Sequence, residues 1–256
     1  MMTHVDVNSD MGEHDDPKGL ALDADIMPFI TSVNVACGGH AGSPDLMRRT
    51  SQLAAQHGVA IGAHPGLPDR ERLGRVEQSL PPHAITALVV EQIQTLTRLM
   101  SQDRLPLTHV KPHGALYNMA ANDQAVALAI VRAVQAVDPT LRLYALAGSV
   151  VITVAQEAGL TVVNEAFADR AYQPDGRLLP RSEKGAVLES TKAVRRQLRQ
   201  LIMGSVTSID GTSVPIQADS ICLHSDTAHA VSLARLIRQE LASAGILVTA
   251  PRHNHA

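Results

Sequence analysis

HVKPHGALYN, from His109 to Asn118, packs a lysine, two histidines, a glycine and a tyrosine into ten positions. The apolar residues ahead of it, Leu105 and Leu107, read as a short buried strand. Pro112 has no N–H to give to a ladder, so the strand ends there. Lys111 and His113 therefore fall where a strand gives way to its loop. Gly114 permits close backbone approach, and ALYNMA opens the next helix. In parallel α/β proteins that edge of the sheet is where ligands bind.

The same grammar recurs on both sides. In HVDVNSDMGE, Val5 and Val7 alternate with Asp6, Asn8 and Asp10, and Glu13 follows. HDDPKG reads as a turn, with a short helix over about 23–30. Val33 and Val35 form a second strand, ending in the glycine-rich loop that holds Cys37 and His40. Ser43-Pro44 is a helix start, N-cap then proline, and Gly58 is the stop of that helix. Val59 and Ile61 form a third strand, broken at His64-Pro65-Gly66. From Pro82, apolar residues Ile85, Leu88, Val89, Ile93, Leu96 and Leu99 recur at spacings of three and four, predicting a helix to about Met100. Beyond HVKPHG come a helix over about 123–137, the strand LRLYALA, and a helix entered through Gly148-Ser149. VVNEAF is a strand followed by a long loop, and long loops inside compact domains are often functional. A helix over about 185–203, a seventh strand over 219–223 and a helix over about 229–244 complete the pattern.

Strand and helix alternate without a linker, so one domain spanning 1–256 with a parallel sheet is expected, ending in a flexible tail over 250–256. Seven strands suit a closed β/α barrel; a doubly wound open sheet fits the periodicity equally well. At 256 residues the chain is long enough for one full core. A net charge of −3 with no basic run argues against nucleic acid and anionic membrane as partners. No apolar run approaches the roughly 18 residues of a membrane span, and no charged-then-apolar leader opens the chain. Two cysteines make no disulfide framework, which points to a reducing cytoplasm. Aromatic residues are 2% of the chain, so the core must rest on Leu, Val, Ile and Ala.

Asp10, Glu13, His40, His64, Lys111, His113, Glu165, Asp169, Arg170 and His224 all follow apolar strands. A parallel barrel would gather them around one mouth, where carboxylates, imidazoles and a lysine suit proton transfer on a charged small molecule. Asp10, His40, His64 and His113 are the candidate ligands if a metal binds, although neither HExxH nor CxxC occurs. There is no GxxxxGK[ST] phosphate loop and no GxSxG elbow, so nucleotide binding by a P-loop and a hydrolase-type serine triad are both disfavoured.

DVNSDMGE, VNVACGGHAGSPDLM, GVAIGAHPGLPD, HVKPHGALYN, NEAFADRAYQPDGRLLPR and ICLHSD, in this order, resemble the LamB/YcsF family over about residues 4–248. The resemblance implies a seven-stranded β/α barrel related to the TIM barrel and to glycoside hydrolase/deacetylase barrels. It implies the role of the A component in a three-component, ATP-dependent 5-oxoprolinase, which opens 5-oxo-L-proline to L-glutamate with partner subunits B and C. ATP is the implied cofactor, with a divalent cation as a second candidate. For such a reaction Asp10, His64, Lys111 and His113 are the catalytic candidates. Asp6, Asn8, Glu13, His40, Glu165, Asp169, Arg170 and His224 are the candidates for binding substrate. A metal-dependent deacetylase or amidase on the same barrel, and a non-catalytic lactam-binding partner, are the alternatives. The chain departs from the family pattern at His14-Asp15-Asp16, Gly39, Leu67, Leu73 and Ser225. Where aromatic residues are lost there, a wider pocket mouth is expected.

Overall fold

The structure is a computed structural model and describes residues 2–224 and 229–251. Its elements are, in order, β1 (His4–Met11), α1 (Pro17–Ile26), β2 (Ser32–Ala36), α2 (Pro44–Gln56), β3 (Ala60–His64), α3 (Pro82–Gln102), β4 (Leu107–Val110), α4 (Gly114–Asn122), α5 (Gln124–Val137), β5 (Arg142–Leu146), α6 (Val150–Glu157), β6 (Val162–Phe167), α7 (Thr191–Ile202), β7 (Ser205–Thr207), β8 (Ser213–Pro215), β9 (Ser220–His224), α8 (Ala230–Ser243) and β10 (Leu247–Val248).

Seven parallel strands run in the order β1-β2-β3-β4-β5-β6-β9, and β9 pairs back onto β1 as well as β6, closing the ring. That second pairing decides for a barrel over an open sheet. The short β10 lies parallel to β1, matching His4 with Leu247 and Val5 with Val248. The hairpin of β7 and β8 stands apart as an antiparallel pair.

The strands are buried on both faces, but the two faces differ in kind. Outward residues such as Val5, Val7, Val33, Val35, Ile61, Val110, Leu143, Ile221 and Leu223 join the shell of helices in one apolar cluster. Inward positions are polar. Asp6, Asn8, Ser32, Asn34, His109, Lys111, Tyr144, Glu165 and Ser220 are all buried. A polar lumen persists only if its groups are paired. Asp6 accepts from Thr31, Ser32, Tyr144 and Ser220. Asn34 donates to Asn8 and Asp10, and His109 Nε2 lies 2.9 Å from its carbonyl oxygen. Burial, with Lys111 and Arg142 nearby, pushes the His109 pKa down to about 3, so it serves this network as a neutral ring.

Gly62 makes room for that ring. A Cβ at Gly62 would lie 2.1 Å from His109 Nε2. Gly62→Ala is expected to lower stability by about 1–3 kcal/mol through overpacking, read as a fall in Tm. Adding His109→Ala to it should recover part of the loss, because the clash is with one side chain.

Two helix starts differ from the sequence reading. The first helix begins at Pro17, inside the expected turn, because the Asp16 side chain accepts from the Lys18 and Gly19 amides and Pro17 occupies the first helical position. Its far end tightens into a single 3₁₀ turn, Met27–Phe29. The helix expected from 185 begins only at Thr191. Gly185 has φ +84° and Ser190 caps the Ala193 amide, so the intervening residues stay in the loop. The β7–β8 hairpin and β10 are too short to carry a periodic signal. Of the expected tail, Ala250 and Pro251 are described; 252–256 lie outside the described residues. Among the described residues no helix is long and apolar enough to cross a membrane.

Asp23 on α1 is a buried carboxylate whose partner is the Gly12 amide, 3.0 Å away. Burial raises its pKa from 3.8 to about 6 against that single hydrogen bond, with Glu13 adding repulsion. The folded state therefore holds this proton more tightly than the unfolded chain. Stability from this group is full below pH 3.8 and is lost as pH rises through about 6, a total of about 3 kcal/mol. Asp23→Asn keeps an acceptor for Gly12 and removes the ionisation. It is expected to raise Tm at pH 8 and leave it little changed at pH 4, measured by thermal melts across that range.

Candidate active site

The carboxyl ends of the strands surround a hollow of about 450 Å³, a size suited to a small metabolite. Asp10, Glu13, His64, Lys111, His113, Tyr117, Phe167 and Arg170 line it, and Arg177 and Arg181 from the β6–α7 loop border its mouth. The long loop after β6 is thus part of the pocket wall. It is tied down from behind. Gln197 on α7 donates to the carbonyls of Phe167 and Arg170, and the Tyr172 hydroxyl accepts from the Phe167 amide.

Lys111 is the centre of the charged set. Pro112 ends β4 just beyond it, and its side chain turns into the lumen, where it is buried. Its Nζ lies 2.8 Å from Glu165 Oε1, 3.0 Å from Asp10 Oδ1 and 3.1 Å from Asn8 Oδ1. Burial works to lower its pKa, but the Asp10 and Glu165 carboxylates hold it well above the usual lysine value. The ammonium is therefore charged. Beside it burial keeps Cys222 a neutral thiol.

The imidazoles form a second set on the same rim. His64 Nδ1 donates to the Lys111 carbonyl at 2.7 Å, and its Nε2 lies 3.2 Å from Asp10 Oδ2. His113 Nε2 donates to the Leu73 carbonyl at 2.8 Å, and its Nδ1 lies 2.9 Å from His64 Nε2. His40 stacks on His113 with ring centroids 3.6 Å apart and reaches Glu13 Oε1 at 3.2 Å. Burial lowers the pKa of both His40 and His113, and neighbouring histidines add to the effect on His113. Burial favours the neutral acid at Glu13, but the His40 hydrogen bond and the surrounding rings outweigh it and keep the carboxylate ionised. Glu13, His40, His64 and His113 offer ligand atoms within 4.8 Å of one another, so a cluster able to hold a metal is present.

The loop from β3 to α3 aims these rings. Gln92 on α3 clamps Gly66 through both its amide groups, and Leu73 and Gly74 both take positive φ, 51° and 61°, which turns the Leu73 carbonyl towards His113. A Cβ on Gly66 would meet His40 Nδ1 at 2.4 Å, so glycine is required there.

Of the expected residues, the structure brings Asp10, Glu13, His40, His64, Lys111, His113, Glu165 and Asn8 into one connected network. Arg170 lines the same hollow, but its guanidinium donates to the carbonyls of Leu179 and Ala186, so part of its work is holding the loop. Asp169 is buried beside it. Asp6 sits apart, lining a hollow that opens between the strand starts at the other end of the barrel. Its surroundings are hydroxyl groups of the lumen rather than the pocket. His224 ends β9 opposite Asp10 in the ladder, and its side chain lies outside the described residues. The expected widening of the mouth does not follow from Gly39, Leu67 or Leu73, because none of them lines the hollow. Leu67 is buried, and position 39 faces Gln92 and the Gly66 carbonyl, where a Cβ would clash.

Four contributors were not singled out as site candidates from the sequence. Asn34 and His109 lie on the inward face of their strands, and the period-2 register with Asn8 and Lys111 would have found them. Arg177 and Arg181 sit in an irregular loop, where no periodicity points.

The LamB/YcsF family model matches residues 5–256. The chain is 47% identical to the A subunit of 5-oxoprolinase from Bacillus subtilis (strain 168), over 97% of each chain. It is 48% identical to the protein of the same name from Geobacillus kaustophilus (strain HTA426), over 98% of each. A crystal structure of a lactam utilization protein from Thermus thermophilus superposes with a TM-score of 0.89 at 42% identity, covering 97% of this chain and all of that one. Match length, identity and barrel geometry agree: the chain belongs to the LamB/YcsF family.

Proposed function

We propose that this chain is the lactam-opening A component of an ATP-dependent 5-oxoprolinase, converting 5-oxo-L-proline to L-glutamate with subunits B and C. The observation that carries the reading is the Lys111 ammonium held between Asp10 and Glu165 beside the histidine rim, in a pocket of small-metabolite size. The names of the relatives support the substrate class.

A five-membered lactam is an amide, and its carbonyl is a poor electrophile. Phosphoryl transfer from ATP to the lactam oxygen, with release of ADP, turns that oxygen into a leaving group. ATP and the divalent cation that accompanies its phosphates belong to the assembly as a whole, in a cytoplasmic setting. In the pocket, water bonds to the ring carbonyl carbon, the ring C–N bond breaks and the nitrogen takes up a proton, which leaves a γ-acyl phosphate; a second water then displaces phosphate from that carbon and gives glutamate. Asp10 stands at the right edge to accept the proton from water, with His64 beside it. The Lys111 ammonium offsets negative charge developing on oxygen. Arg177 and Arg181 at the mouth suit the substrate carboxylate, and Phe167 and Leu146 suit the ring methylenes.

Mixing the purified chain with subunits B and C, 5-oxo-L-proline and ATP should yield glutamate and ADP, with no glutamate when any component is left out. Glutamate formed without ATP would instead favour a stand-alone amidase. No glutamate from the complete mixture would overturn the reading.

A further inference from the structure

We propose that Glu13, His64 and His113 form a binding site for one divalent transition-metal ion of the zinc class. Hydrogen-bond directions around the two rings lead there. A backbone carbonyl can only accept, so His64 Nδ1 and His113 Nε2, which face the carbonyls of Lys111 and Leu73, must both carry hydrogen. In neutral rings the other two nitrogens, His64 Nε2 and His113 Nδ1, are then bare lone pairs. Those lone pairs face each other at 2.9 Å. Two acceptors at that distance repel unless a cation lies between or beside them.

The surroundings supply more negative charge. Glu13 Oε1 lies 3.3 Å from His113 Nδ1, and Asp10 Oδ2 lies 3.2 Å from His64 Nε2. Both carboxylates stand within reach of a cation seated between the two rings.

The donor set also fits. Two imidazoles and one carboxylate, with a fourth position open to solvent or substrate, is a ligand set that zinc accepts. Ligand atoms in a tetrahedral site of this kind stand about 3.3 Å apart, so the pair at 2.9 Å needs to open by only a few tenths of an ångström. Metal-bound histidines commonly donate their outer N–H to a backbone carbonyl, as both rings do here. His40 is the supporting residue. Its ring is stacked parallel to His113, at an interplanar angle of 5°, so both cannot aim lone pairs at one point; it hydrogen-bonds Glu13 instead. The ion would polarise a carbonyl or a bound water, and that role rests on the lactam-hydrolase reading. Binding itself does not.

Chelator-treated full chain, without partners, lactam or ATP, should take up one equivalent of Co²⁺ with a visible d–d absorption, and Zn²⁺ should displace it. Glu13→Gln, His64→Ala and His113→Ala should each weaken binding by about 100-fold or more, with circular dichroism reporting whether each variant is folded. The exposed His57→Ala should bind as the parent does. No stoichiometric uptake by the folded parent chain, which would leave a shared proton between the rings, overturns the proposal. So does undiminished uptake by folded His64→Ala/His113→Ala. Metal uptake without glutamate formation in the full assembly would sink the proposed function alone. Glutamate formation by a chain that binds no metal would sink the metal alone.

Discussion

Lys111→Met is expected to abolish glutamate formation, by about 10²–10³-fold or more, and to cost stability as well. From the sequence alone, Lys111 reads as a strand-end group that could be exchanged without harm to the fold. The structure gives it a second task. Its Nζ neutralises Asp10 and Glu165, and both Lys111 and Glu165 are buried. Removing one partner of a buried ion pair leaves an uncompensated charge, a loss of about 3–5 kcal/mol. Activity and Tm should therefore fall together. Lys111→Met/Glu165→Gln separates the two effects: the buried charge is gone, so much of the Tm should return while turnover stays absent. Wild-type kcat in the single variant, or recovery of kcat in the double, would show that the ammonium plays no part in the reaction.

Asp10→Asn should behave differently. Asparagine keeps a carbonyl oxygen for the Lys111 and Asn34 donors, and its new N–H can face the bare His64 Nε2. Glu165 still pairs Lys111. The Tm is thus expected to stay near that of the parent, while kcat falls by about 10²–10⁴-fold through loss of the proton acceptor. The lactam KM should change little. A variant with normal kcat would remove Asp10 from the proton path. A large rise in KM at unchanged kcat would make it a substrate-holding group.

The architecture was legible because most strands carry outward Val, Ile or Leu at period 2, and several helices have clear capping residues such as Ser43 and Asp123. Lys111, His64 and Asp10 could be placed on one rim because each stands where an apolar strand stops. What the chain does not advertise is which polar residue goes inward to brace the barrel and which reaches the pocket. Asp6 and Asp10 look alike in HVDVNSDMGE, yet four residues along one strand face separate a hydroxyl cage near one end from the reactive rim at the other. The loop arginines were hidden for another reason. Their position depends on Gln197 and Tyr172 anchoring a segment with no repeat of its own. Closure of the ring was also beyond periodicity, since it rests on pairing between the two ends of the chain.

That pairing bears on how the molecule is made. β1 leaves the ribosome before the other described strands, yet two of its three neighbours, β9 and β10, come after all the rest. Until then its backbone amides and carbonyls on one side have no mate, and the lumen carboxylates stand open to water. Closure of the ring must wait for β9 and β10, which makes this a slow-folding topology with an open strand edge to protect from edge-to-edge association in the meantime.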